Sequence, residues 1–297
     1  MLIKTALITA SGFGTRFLPI TKTIQKEMLP ILSRPIIDYV VDDLISAGVE
    51  KIIIIISEHN MQPMHYYREN RRLYDYLKQK GKLDEYDLVE NQHKKAEYIF
   101  IRQPDSATYG TATPLLLAEK ELKTEPAFFV FMGDDFIFQP NVDESAASQM
   151  EDTFFASQAE GLVTCIEKPA SELDKYGVAK LKSENGYKYL DTLVEKPTLG
   201  TAPSNLANIS KYIFKPSVFE IIRHQKPDPQ SGELYITDTA TWLAKTNRVV
   251  VHQPTGQYLD GGFPLGWLKA NLAVAWQDPN MRGELKQTVE QLESSRA

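Results

Sequence analysis

Lys51-Ile-Ile-Ile-Ile-Ile-Ser57 is β-branched throughout its interior and shows no polar alternation. A strand with one face in water alternates apolar and polar residues, so an unbroken apolar run predicts a central strand covered on both faces. Comparable short runs stand at Ile3 to Thr9, Tyr98 to Arg102 and Ala127 to Met132, each followed by enough chain for a crossover helix. That spacing predicts parallel βαβ units. One crossover helix is expected over Pro35 to Ala47, where Ile36, Ile37, Val40, Val41, Leu44 and Ile45 recur at helical period and Gly48 ends the run. The next crossover, His59 to Lys95, is polar and aromatic, with a stop at Gly81, and predicts protruding helices with a solvated face.

Beyond Asp135 the pattern changes. Strand-like stretches at Gly161 to Ile166, Tyr176 to Leu181, Tyr187 to Val194 and Ala207 to Phe214 are separated by turn residues such as Asn185-Gly186, which reads as a mixed extension of the sheet. Helical stretches follow at Pro216 to His224, Ile236 to Ala244, Pro264 to Trp276 and Pro279 to Ser294. Without an internal repeat or low-complexity linker, a single domain over 1–297 is expected, and 42% apolar residues suffice for its core. Thirty-nine acidic against 33 basic residues give a net charge of -6. This excludes overall attraction to nucleic acid or an anionic membrane, so an anionic ligand has to be held locally. The lone Cys165 excludes an internal disulfide and reads as core, and no stretch approaches a membrane span or a cleaved leader; a cytoplasmic protein is expected.

The run Ile3 to Thr9 passes directly into Ala10-Ser-Gly-Phe-Gly-Thr-Arg-Phe-Leu-Pro19. Gly12 and Gly14 thus fall at the carboxyl end of a central strand, where open α/β sheets bind ligands. Their spacing fits neither the Walker A nor the dinucleotide fingerprint, and a tight strand-to-helix corner would also use them. Arg16, Lys22 and Lys26 follow within one short segment, and cations beside a glycine loop point to a polyphosphate. The run Ala127 to Met132 ends in Gly133-Asp134-Asp135, placing carboxylates on the same edge, where they can hold a divalent metal or cap a turn. Tyr258-Leu-Asp260-Gly-Gly262 offers a second, distant carboxylate.

On Gly12-Phe-Gly-Thr-Arg-Phe-Leu-Pro-Ile-Thr-Lys22 and Lys26-Glu-Met-Leu-Pro30 the sequence resembles the bacterial UTP glucose-1-phosphate uridylyltransferase family. The resemblance extends over nearly the whole chain, through Gln79-Lys-Gly-Lys82 and Gly232-Glu-Leu-Tyr-Ile-Thr-Asp238. It implies an α/β, Rossmann-like nucleotidyltransferase fold: a mostly parallel mixed central sheet, helices on both faces and a sugar-binding extension. Residues 1–135 would form the nucleotide-binding half, and 136–297 the sugar-binding half with the C-terminal helices. The implied enzyme joins UTP and glucose 1-phosphate into UDP-glucose and pyrophosphate, and works as a homo-oligomer. In it Ala10, Ser11, Gly12 and Gly14 contact the nucleotide, Gln103 and Gly110 the uracil, and Asp134 and Asp260 hold Mg2+. Gly177, Glu195 and Lys196 take the sugar phosphate, while Arg16, Lys26 and Lys196 offset the charge of the reacting phosphates. Several positions depart from the family pattern: Gln25 replaces a proline, Thr111 a histidine, Ser210 a glycine and Tyr235 a glutamine, and Gly261 and Phe263 differ after Asp260. A thymidylyltransferase, a uridylyltransferase for another sugar 1-phosphate and, in a different class, a non-catalytic sugar-nucleotide sensor remain alternatives.

Overall fold

Strand β1 (Thr5–Ala10) is followed by a small ribbon of β2 (Pro30–Ile31) and β3 (Arg34–Pro35), then by β4 (Lys51–Ser57), β5 (Glu97–Gln103) and β6 (Phe128–Met132). The computed structural model describes residues 2–140, 144–184 and 186–295. β5, β4, β1 and β6 lie side by side and parallel, as the crossover spacing predicts. The isoleucine run explains how both faces are covered. Ile52, Ile54 and Ile56 pack with Ile37 and Val41 of the helix Ile36–Ser46, whereas Ile53 and Ile55 pack on the other side with Leu115, Phe128 and Phe219. All five are fully buried, which favours folding by roughly 1.5–3 kcal/mol each. The polar crossover forms the helices Gln62–Tyr66, Arg71–Gln79 and Leu83–Glu90, with Gly81 left-handed at φ 68° after the second.

The second half adds β7 (Asp135–Phe138), β8 (Gly161–Glu167), β9 (Gly177–Glu184), β10 (Tyr187–Glu195), β11 (Leu206–Phe214), β12 (Val249–His252) and β13 (Gln257–Asp260). Asn185, from the expected turn, lies outside the described residues. Among the described residues the main sheet runs β5-β4-β1-β6-β11-β8-β12-β10-β9, and only β11 and β10 oppose the remaining strands. The sheet is therefore mixed and mostly parallel. β11, inserted antiparallel between β6 and β8, carries a register irregularity where Ser210 adopts φ 55°. This left-handed conformation is one glycine adopts at no steric cost. It accounts for the family's glycine there; here the Asn208 carboxamide oxygen accepts from the Ser210 amide at 3.2 Å.

Outside the main sheet, β7 and β13 form an antiparallel ribbon with Asp260 opposite Asp135. Its register brings the two aspartate segments of the sequence together.

Candidate active site

The site lies along the carboxyl ends of β1, β5 and β6. Beyond β1, Gly14 is left-handed at φ 63°, and Thr21 Oγ1 donates to its carbonyl at 2.8 Å. Below the loop, the Gln25 side chain is buried and donates to the Ala10 carbonyl. The residue that departs from the family's proline thus ties the cationic segment to the end of β1. Ser11 Oγ donates to Gln103 Oε1 at 2.7 Å, joining the loop to the end of β5. Gly110 has φ 139°, and a Cβ there would overlap the backbone N and O of Leu234. The close approach is fixed by Leu234 N donating to Tyr109 O and Ala112 N donating to Leu234 O, both at 2.9 Å.

Asp134 follows β6, and its carbonyl accepts from Gly261 N at 3.0 Å at the end of the ribbon. The two carboxylates converge on one small space: a Cβ on Gly262 would lie 2.5 Å from Asp134 Oδ2 and 3.1 Å from Asp260 Oδ1. Gly262 N donates to Asp260 Oδ1 at 2.9 Å. From the loop side Lys26 forms an ion pair with Asp134 and lies 3.5 Å from Glu27. Burial pulls the Lys26 ammonium down, but the Asp134 and Glu27 charges outweigh it and hold it protonated. Burial likewise pushes Asp134 upward, and the Lys26 ammonium overcomes it and lowers the carboxyl below its ordinary value. Asp260 is raised, first by burial and then by the Asp134 charge. Behind this pair Asp135, pushed by burial to about 7, bonds the buried Lys211 and accepts from Tyr258 Oη at 3.2 Å. Arg16 is exposed, and its charge lowers Asp260.

The residues expected on the sugar side, Gly177, Glu195 and Lys196, gather on β9 and at the end of β10, at the opposite edge of the sheet from β5. Gly177 pairs with Glu195 in register, and a Cβ on Gly177 would stand 3.2 Å from Glu195 Oε2. Glu195 is raised by burial, with Lys196 opposing. Lys196 itself is left-handed at φ 42° and lies 4.0 Å from Glu195. Among the described residues it pairs with neither Asp134 nor Asp260.

The nucleotidyl transferase family model matches residues 5–278. A UTP–glucose-1-phosphate uridylyltransferase of Staphylococcus epidermidis is 34% identical over 98% of this chain and 99% of its own. The chain belongs to this uridylyltransferase family of nucleotidyl transferases. A UTP-bound UGPase from Acinetobacter baumannii superposes with a TM-score of 0.84 at 29% identity, covering 98% of this chain and all of that one. A UDP-glucose pyrophosphorylase complexed with UDP-glucose gives 0.81 at 32% identity over 93% of this chain and 100% of its own.

Within this uridylyltransferase-family fold, Ser11, Gly12, Lys26, Gln103, Gly110 and Asp134 line one 160 Å³ cavity. Glu27 and Glu233 share its lining and were not picked out from sequence. Glu27 is 1% exposed, is pushed by burial to about 7, and has Oε2 unpartnered. Its place next to Lys26 in Lys26-Glu27-Met-Leu-Pro was the available signal, read there only as part of a motif. Tyr176 is the other omission. Burial and then the Asp260 charge push its hydroxyl up to about 12, and its carbonyl accepts from Lys196 N at 3.0 Å.

Proposed function

We propose that the protein transfers the uridylyl group of UTP to glucose 1-phosphate, giving UDP-glucose and pyrophosphate. The observation that carries this reading is the convergence of Asp134 and Asp260 beside Lys26 and the glycine loop. The named reaction of the similar proteins, matched over almost the whole chain, supports the same reaction here.

Gln103 offers an amide donor and an acceptor to the uracil edge. The backbone of Ala10, Ser11, Gly12 and Gly14 faces the triphosphate with Arg16 above it. Gly177 leaves room for the sugar, Glu195 accepts from its hydroxyls, and Lys196 meets its phosphate. A sugar phosphate oxygen attacks the α-phosphorus in line, the bond to the bridging oxygen of the β-phosphate breaks, and pyrophosphate leaves. The attacking oxygen is already ionised, so no side chain has to remove a proton. Lys26 turns from its carboxylate partners Asp134 and Glu27 to the phosphate oxygens, and keeps its charge throughout. Alignment and neutralisation are the whole of the protein's contribution.

The donor set suits Mg2+. Two carboxylates with space between them fit an ion that takes one or two protein oxygens and completes its shell with phosphates and water. When bound, Mg2+ neutralises phosphate charge. Self-association belongs to the same reading, since Leu265, Leu268, Leu272 and Trp276 leave an apolar stripe exposed along the helix Pro264–Ala275 and its end. Among the described residues no helix is long and apolar enough to cross a membrane. A cytoplasmic setting is supported by the single, buried Cys165.

Pyrophosphate release with Mg2+, UTP and glucose 1-phosphate tests the reaction, with dTTP and galactose 1-phosphate as competitors. Asp134→Ala and Asp260→Ala should each lower kcat by about 10³-fold. Near-native turnover in either folded variant removes that residue from the metal site.

A further inference from the structure

Two aromatic rings stand at the mouth of the nucleotide cavity and have no part in the chemistry above. Phe13, at the tip of the glycine loop, is 70% exposed, and Tyr109 is 44% exposed. Their rings stack, with centroids 5.7 Å apart and planes 25° from parallel. The supports of the two rings differ. Phe13 sits between Gly12 and the left-handed Gly14, a backbone with little resistance to rotation. Tyr109 stands on a segment fixed to Leu234 by the paired backbone hydrogen bonds around Gly110. Tyr109 also lines both the inner cavity and an adjoining outer one of 400 Å³, in which Phe13, Gln103 and Asp105 take part. Ser11, Gln103 and Tyr109 line both spaces and form the seam between them, and the stack holds the Phe13 tip to that seam from the outer side.

The inner cavity, at 160 Å³, is below the roughly 300 Å³ at which small-molecule sites begin. A nucleoside triphosphate extends beyond this space along the glycine loop, whose Phe13 tip the stack holds to the 109–112 segment. We propose that Phe13 and Tyr109 form an aromatic latch that fastens the glycine loop over bound nucleotide and sets how long UTP stays. They are positioning residues: they touch each other, and they act through the loop. This rests on the uridylyltransferase reading above.

The test measures dissociation of mant-UTP, chased with excess UTP in Mg2+, for wild type, Phe13→Leu, Tyr109→Leu and the double variant. A stacked pair of this kind predicts about a 3- to 10-fold faster release in each single variant. The double variant should be no faster than the faster single one, because either change breaks the same contact. KM for UTP should rise with kcat and the KM for glucose 1-phosphate unchanged. Tyr109→Phe, which keeps the ring, should restore wild-type release. Unchanged release in both leucine variants, multiplicative effects in the double, or a Tyr109→Phe that behaves as Tyr109→Leu would each overturn the latch while leaving the reaction intact. A wild-type protein that binds no UTP overturns the functional reading and the latch with it.

Discussion

At the proposed nucleotide end Lys26 is only 20% exposed and locked to a carboxylate, whereas at the proposed sugar end Lys196 is 58% exposed and lies 4.0 Å from Glu195. The backbones differ likewise. Gly110 is pressed against Leu234, and the loop is tied down by Gln25 and Ser11, while Lys196 sits at the open end of β10. On the proposed assignment, the base of the nucleotide subsite is thus built before substrate arrives, with only the Phe13 tip left to fasten, and the sugar subsite leaves its cation free to move onto a phosphate. Pre-organisation lowers the ordering cost of binding, so on this reading UTP gains more from the fold than the sugar phosphate.

The most direct way to break this contrast is to spoil the preformed end. Gly110→Ala places a Cβ into the Leu234 backbone and requires a φ that side chains rarely adopt; KM for UTP should rise by about 100-fold or more. A near-native KM with alanine would show that the 109–112 segment is not fixed. At the open end, Lys196→Ala should cost about 10- to 100-fold in kcat/KM for glucose 1-phosphate and leave the affinity for UTP unaltered. Equal losses for both substrates would merge the two subsites into one.

A smaller effect separates the halves by pH. In the second half, burial lowers the His252 imidazole to about 4, with Thr153 Oγ1 at 2.9 Å from Nδ1 and Nε2 unpartnered. The unfolded chain takes up this proton below about 6.5, so the stabilisation is complete above that value and is lost as pH falls toward 4. The full loss is about 3 kcal/mol of unfolding free energy, of which about 2 kcal/mol falls between pH 7 and 5. Glu27 and Asp135, both raised to about 7, act with the opposite sign: the folded protein holds their protons more tightly, so their contribution grows as pH falls below 7. Urea titrations of wild type and His252→Gln at pH 7 and 5 isolate the histidine, and the variant should lose less stability on acidification.

Much of this was legible in the sequence. The isoleucine run gave a central strand, and strand-to-glycine continuity placed the loop at the binding edge. Gly133-Asp134 was visible as a strand end. What periodicity does not encode is the partner of a short strand. Tyr258-Leu-Asp260 reads alike whether it joins the main sheet or, as found, pairs with β7 in a ribbon of its own. The pairing of the carboxylates came from family resemblance, not from spacing. The roles of Gln25 and Glu27 were hidden for a related reason: both lie in a short irregular segment of 3-10 turns, where no alternation tells which side chain points inward. Ser210 was noticed as a departure, but only its backbone angle gives the reason for the usual residue.

The β7–β13 ribbon has a bearing on biosynthesis. One of its strands emerges from the ribosome long before the other, so a growing chain completes its glycine loop and Asp134 well before Asp260 exists. Until β13 is made, such a chain has the nucleotide cradle without the second carboxylate. On the proposed assignment of Asp260 to the metal, turnover requires a polypeptide made and folded through β13, so incomplete products stay inert.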